Sequence, residues 1–133
     1  MIPPFNEAGY LPPGLHLATL DEIDARFGRM SELRRVQMES VRWMVELAVR
    51  TGVERIVLNG SFVTDIMEPN DVDCALLISG VFPKDPQAEM ELRAGLPFLE
   101  IVIVRRRDFD RLIVQFFATD RYQLPKGMVE VVL

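Results

Sequence analysis

The stretch that decides the fold is ERIVLNGSFVTDIMEPNDVDCALLI, residues 54–78. An apolar run ends at a Gly-Ser pair, a polar segment follows, and Asp71 and Asp73 lead into a second apolar run. Compact apolar runs bounded by turn residues are typical of buried strands, so two strands are predicted here. Because alternate residues of a strand face opposite sides, we expect Asp71 and Asp73 on one face and Cys74 on the other.

Helices and strands are predicted to alternate on both sides of this stretch. Thr19 with Glu22 forms a capping-box pattern, and Ser31 is a candidate cap for a second, longer helix. Helices are predicted at residues 20–27, 32–51 and 85–95, and strands at residues 55–58, 72–78, 97–104 and 128–133. The strand at 97–104 is apolar on both faces, so we expect it in the middle of a covered sheet.

One segment, DFDRLIVQFFATD at residues 108–120, fits two structures. A helix capped by Asp108 is the first prediction, and a strand remains the alternative. The helical prediction rests on apolar residues spaced by three and four: Phe109, Leu112, Ile113, Phe116 and Phe117. The resulting fold class is α/β (α+β), a mixed β-sheet covered by helices in a single domain at residues 19–133. Residues 1–18 hold four of the nine prolines and are predicted to be an extended N-terminal arm.

Composition excludes several classes of function. The chain has 133 residues and a formal net charge of −5, which argues against nucleic-acid binding through bulk positive charge. No apolar run approaches the roughly 20 residues that cross a bilayer, so no membrane partner is expected. The single cysteine cannot form an internal disulfide, and no secretory signal pattern is present, so we expect a reducing, cytoplasmic setting.

Three carboxylates are candidates for a metal site. Asp71 and Asp73 on one face repel each other unless a cation lies between them, and carboxylate oxygens with open positions suit Mg²⁺. The alternative is a solvent-facing pair at the end of a strand. Glu100 lies in the third strand, where a charge is costly unless it is paired or ligates a metal. It is either a third carboxylate of the site or an acid at the exposed start of the strand.

Phosphate-binding candidates flank the carboxylates. A glycine directly after a buried strand lets backbone N–H groups approach an anion, so Gly60 and Ser61 are candidates for binding phosphate, with a plain tight turn as the alternative. Lys126 and Arg121 lie in the segment TDRYQLPKG and could reach the same phosphate if that turn folds over the site. A solvated turn is the first interpretation for both, and phosphate binding is the alternative.

This order of motifs resembles the nucleotidyltransferase superfamily that includes DNA polymerase β and the small bacterial minimal nucleotidyltransferases. The family pattern is a strand, Gly-Ser, Asp-x-Asp on the next strand, and a third acid on a later strand. Gly60 and Ser61 match the first pair, Asp71 and Asp73 match the second, and Glu100 is the candidate third acid. This chain differs in having nine residues between Ser61 and Asp71, and glutamate where aspartate is usual.

The resemblance implies a function and a cofactor. Asp71, Asp73 and Glu100 would hold Mg²⁺, with Mn²⁺ as the alternative, while Gly60, Ser61 and Lys126 would bind the nucleotide. The expected reaction transfers a nucleoside monophosphate from an NTP, with ATP as the first expectation, to a hydroxyl on protein, RNA or a small molecule. Nucleic acid enters only as an acceptor, and the chain is expected to be a homo-oligomer or to bind a partner protein. The alternative function is a catalytically weak binding module that acts through a partner chain, such as a toxin–antitoxin component.

Overall fold

The fold is described here from a computed structural model that covers residues 1–133, apart from the side chain of Phe116. The contribution of Phe116 to the predicted apolar helix face therefore lies outside the described residues. In the described part of the chain there are five strands and four α-helices: β1 (Gly14–Ala18), α1 (Leu20–Phe27), α2 (Glu32–Thr51), β2 (Arg55–Asn59), β3 (Val72–Leu77), α3 (Pro86–Ala94), β4 (Leu99–Val104), α4 (Arg106–Arg111) and β5 (Gly127–Val131). A single 3₁₀ turn follows β2 at Ser61–Val63, and α4 continues as a π-helical segment at Leu112–Phe117.

The strands form one mixed sheet in the order β1-β5-β2-β3-β4. The outer pairs, β1 with β5 and β3 with β4, are parallel, whereas β2 is antiparallel to both of its neighbours. Helices cover both faces of this sheet. The predicted fold class, a mixed sheet covered by helices in one α+β domain, is confirmed.

The two faces of the sheet bury separate clusters. Side chains of α1, α2 and α3 pack on one face, against Val72, Cys74 and Leu76 of β3. The other face buries Val57, Ala75 and Leu77 against Phe109 and the π-helical segment. Because α4 covers only part of this second face, Val102 in β4 stays 41 % exposed. The open part of the face is where the carboxylates of β3 and β4 lie.

The helix ends follow the predicted chemistry. Thr19 and Glu22 form the reciprocal capping box of α1, and the Ser31 side chain accepts a hydrogen bond from Arg34 N–H at the start of α2. Gly52 ends α2 in the left-handed conformation, which costs glycine little. Charged residues line the solvent-facing side of α2, and Arg42 on that side pairs with Asp24 at 3.0 Å.

Three sequence predictions are wrong in detail. The strand predicted in the middle of the sheet, β4, is its edge strand, because β5 inserts on the far side next to β2. Residues 106–117 are helical, as predicted for most of this segment, but Asp108 lies inside the first turn of α4 instead of capping it. The arm at residues 1–18 ends in a strand that the sequence did not predict, β1, which pairs with β5.

None of the helices in the described part of the chain is both long and apolar enough to cross a membrane.

Candidate metal and phosphate site

Strand pairing brings the three predicted carboxylates together. Asp73 in β3 is the register partner of Glu100 in β4, and Asp71 lies two residues before Asp73 on the same side. One carboxylate oxygen from each of the three lies within 4.8 Å of the others. Glu100 is exposed and the two aspartates are partly buried. Of the two interpretations of Glu100, the structure supports a carboxylate that faces the same space as the two aspartates.

Crowding of negative charge shifts the pKa values of this cluster. Burial raises the pKa of Asp73 to about 6, and a hydrogen bond with Glu100 and the charges of Asp71 and Glu100 add to the effect. Burial also raises the pKa of Asp71, again with help from the charge of Glu100. Like charges at such close range favour either a shared proton or a bound cation.

The Gly60 turn packs directly on this cluster. Gly60 has φ 82° and ψ −164°, a conformation that is essentially limited to glycine. A Cβ atom at this position would clash with Oδ2 of Asp73. The turn then leads into the 3₁₀ turn at Ser61–Val63. Glycine is therefore required here by both the backbone and the neighbouring carboxylate.

A polar cavity of about 530 Å³ lies over this turn, with Asp73 in its lining and Asp71 and Glu100 outside it. It is also lined by Gly60, Ser61 and Lys126, which were predicted to bind the nucleotide. Burial lowers the pKa of Lys126, while the charges of Asp73 and Asp120 oppose that shift. The remaining lining residues are Tyr10, Thr64, Ile66, Asn70, Thr119, Asp120, Arg121 and Tyr122.

The far wall of the cavity joins two distant parts of the chain. The hydroxyl of Tyr10 donates a hydrogen bond of 2.7 Å to Asp120, and Tyr10 also forms a backbone bridge with Thr64. This hydrogen bond raises the pKa of Tyr10 and lowers that of Asp120. The N-terminal arm therefore holds the turn that carries Arg121 and Lys126 beside the carboxylates. The sequence predicted a turn for both basic residues but did not decide whether that turn folds over the site. In the structure, both residues line the cavity.

Several other titratable side chains lie outside the site. His16 packs near Gly127, with its Nε2 2.6 Å from the carbonyl oxygen of Pro12. Cys74 is buried on the opposite face of β3, and burial raises the pKa of its thiol. The arginines at 105–107 are exposed at the end of β4.

Sequence reasoning missed Arg34, which is fully buried beneath the Gly60 turn. A signal was available, because Arg34 shares the spacing of the buried residues Met38, Val41 and Val45 on α2. A charged residue on the apolar face of a helix needs a buried partner. That partner is the loop after Gly60.

A family model matches residues 3–132 of the chain, almost its entire length. The chain belongs to a family of unknown function (DUF6932). No curated protein and no solved structure matches this DUF6932 chain significantly. Membership of the nucleotidyltransferase superfamily therefore stays a prediction from the sequence motifs.

Proposed function

We propose that this chain is a Mg²⁺-dependent nucleotidyltransferase that transfers a nucleoside monophosphate from an NTP to a hydroxyl acceptor. The observation that carries the proposal is the convergence of three carboxylate oxygens within 4.8 Å of one another. The glycine turn packs on the middle one of these carboxylates, and Lys126 lies in the same cavity.

The donor set fits the proposed metal. Magnesium prefers oxygen ligands, keeps open positions for water, and is held by a few carboxylates together with substrate phosphates. Asp71, Asp73 and Glu100 supply such oxygens, and the exposure of Glu100 leaves one side of the cluster open. Mn²⁺, which takes the same ligands, is the alternative. A bound divalent cation would neutralise charge on the triphosphate and on the leaving pyrophosphate.

The residues of the chain have separate tasks in this proposal. The turn at Gly60 and Ser61 binds the terminal phosphates, and the ammonium group of Lys126 offsets their charge. In the transfer step, the acceptor oxygen forms a bond to the α-phosphorus while the bond to the pyrophosphate oxygen breaks. Glu100 accepts the proton of the attacking hydroxyl, since it is the most exposed of the three carboxylates. Positioning and charge stabilisation supply most of the rate enhancement in such reactions.

Calorimetry tests the binding half of the proposal. We expect ATP to bind when Mn²⁺ or Mg²⁺ is present and to lose that binding in excess EDTA. The double variant Asp71→Asn with Asp73→Asn should not bind, whereas Asp108→Asn with Asp110→Asn, which alters two exposed aspartates, should bind normally. Binding that persists in EDTA, or in the first double variant, would contradict the metal site. A panel of the four NTPs in the same assay gives the base preference.

Label transfer separates the enzyme from the alternative, a binding module that acts through a partner chain. Wild type and the Asp71→Asn, Asp73→Asn variant are incubated with α-labelled NTPs and a cytoplasmic extract, the setting that we propose on the basis of the single buried cysteine. Label that appears on an acceptor only with wild type supports catalysis. Metal-dependent binding without any transfer supports the binding module.

A further inference from the structure

Arg34 is a buried arginine whose side-chain hydrogen bonds all go to the main chain. It is 0 % exposed and lies near the start of α2. Its guanidinium group donates to the carbonyl oxygens of five residues: Phe27, Ser61, Phe62, Thr64 and Ile66. Four of these five carbonyls belong to the loop that directly follows Gly60. A single side chain thus fixes the course of the backbone between the glycine turn and Ile66.

Two neighbours on the same face of α2 extend this attachment. The hydroxyl of Ser31 donates to the carbonyl of Met67 at 3.0 Å, and Nε2 of Gln37 donates to the carbonyl of Pro69 at 2.6 Å. Residues three apart lie on one side of a helix, so Ser31, Arg34 and Gln37 form a row, here called the α2 anchor. The α2 anchor holds the loop at residues 61–69 by its carbonyls.

The direction of these hydrogen bonds matters for anion binding. In a planar trans peptide the N–H group points away from the C=O group of the same unit. Carbonyls that face Arg34 therefore turn the N–H groups of the same peptide units away from α2. The unit that joins Ser61 to Phe62 is one of them, and Ser61 lines the cavity.

The positive charge of Arg34 is also only partly balanced. Burial lowers the pKa of Arg34 to about 10, so the guanidinium group stays protonated at neutral pH. Asp65 exerts an opposing influence on that pKa, yet among the described residues no carboxylate lies within 4.0 Å of the guanidinium group. A buried cation solvated by carbonyl dipoles adds positive potential beneath the turn.

We propose that Arg34 is a positioning residue for the nucleotide: it holds the loop at residues 61–69 so that the Gly60 turn and the N–H group of Phe62 face the triphosphate. This inference rests on the proposed function and names a residue that never touches the metal. Asp73 and Glu100 are fixed by the pairing of β3 with β4, to which Arg34 does not donate. Loss of Arg34 should therefore weaken nucleotide binding more than metal binding.

The test compares Arg34→Lys and Arg34→Met with Leu92→Ala, a core truncation in α3 that destabilises the fold away from the loop. Calorimetry measures the affinity for Mn²⁺ alone and for ATP in saturating Mn²⁺, at a temperature where each variant is folded. In Arg34→Lys we expect about a tenfold loss of ATP affinity, the size of one charge-assisted hydrogen bond, with Mn²⁺ affinity within about twofold of wild type. Leu92→Ala should change neither affinity. If Arg34→Met does not fold, Arg34→Lys and the milder Ser31→Ala carry the test.

Hydrogen exchange gives a second readout that needs no ligand. Amides at residues 61–67 should exchange faster in Arg34→Lys than in wild type, and Leu92→Ala should leave them protected. Unchanged exchange in this loop, or an equal loss of Mn²⁺ and ATP affinity, would overturn the positioning role. A wild-type protein that binds no ATP in Mn²⁺ refutes the proposed function and this inference with it, whereas normal ATP binding by Arg34→Lys refutes the inference alone.

Discussion

Replacement of Asp73 by asparagine should stabilise the metal-free protein while abolishing its response to metal. Burial and the nearby charges of Asp71 and Glu100 raise the pKa of Asp73 from 3.8 to about 6. Since each pKa unit corresponds to about 1.4 kcal/mol, the ionised carboxylate costs the fold about 3 kcal/mol. Solvent screening at this partly exposed group reduces the expected gain in Asp73→Asn to about 1–2 kcal/mol at pH 8.

The sign of the pH dependence follows from the raised pKa. In the unfolded chain Asp73 ionises near pH 3.8, and in the folded chain near pH 6, so the folded state holds the proton longer. The stability that Asp73 contributes is complete below pH 3.8 and is lost as the pH rises through about 6. The unfolding free energy of Asp73→Asn should not show this decline. The difference in unfolding free energy between variant and wild type should therefore grow between pH 4 and pH 7.

Urea unfolding in EDTA at several pH values measures this difference, and a second series adds Mn²⁺. A ligand that binds only the folded state raises the unfolding free energy, so wild type should gain stability with Mn²⁺ and Asp73→Asn should not. Glu39→Gln removes an exposed carboxylate of α2 and serves as the control, with an expected change within about 0.5 kcal/mol. Lower stability of Asp73→Asn than of wild type in EDTA at pH 8 would contradict a costly ionised Asp73, and equal stabilisation of both proteins by Mn²⁺ would contradict its role as a metal ligand.

Two further variants test the role of the Gly60 turn and the role of the Lys126 ammonium group one at a time. Gly60→Ala should lose about 2 kcal/mol of stability and bind Mn²⁺ more weakly, because a Cβ strains the backbone and displaces Oδ2 of Asp73. Gly80 also has positive φ, but a Cβ there would meet open space, so Gly80→Ala is the control. Calorimetry should find its Mn²⁺ affinity unchanged, which would attribute the effect of Gly60→Ala to the clash with Asp73. Lys126→Met should bind Mn²⁺ at least as well as wild type yet bind ATP about tenfold more weakly, since a cation near the phosphates is lost. Lys84→Met, next to Gly52 at the end of α2, is the matched control, and equal ATP affinity in both variants would exclude a role for Lys126.

Local patterns predicted much of the fold because the deciding interactions are local. Capping residues at Thr19 and Ser31 and the left-handed stop at Gly52 each act within a few residues of the helix that they end. The two strands on either side of the Gly-Ser turn are likewise indicated by their own apolar residues and by the turn between them. Element type and approximate bounds were therefore accessible from the sequence.

Strand order was not accessible, because it depends on contacts between distant parts of the chain. An apolar pattern on both faces suits a central strand, yet β4 is the edge strand and its side chains are half-buried or exposed. The pairing of β1 with β5 joins residues more than a hundred positions apart, so nothing near GLHLA signals it. Glu100 illustrates the same limit: its distance from Asp73 depends on the register of β3 with β4, which is set by the whole sheet.

The distribution of charge explains why the site joins these parts of the chain. Three carboxylates meet beside the cavity, and Lys126 is the basic group whose charge lowers the pKa of Asp73. A bound divalent cation would remove the excess of negative charge on the strand side. Arg34 lies on the loop side, where its charge is spread over backbone carbonyls instead of being cancelled by a carboxylate. A triphosphate bound with its cation would be negative toward the loop and positive toward the strands, and this arrangement complements both sides of the cavity.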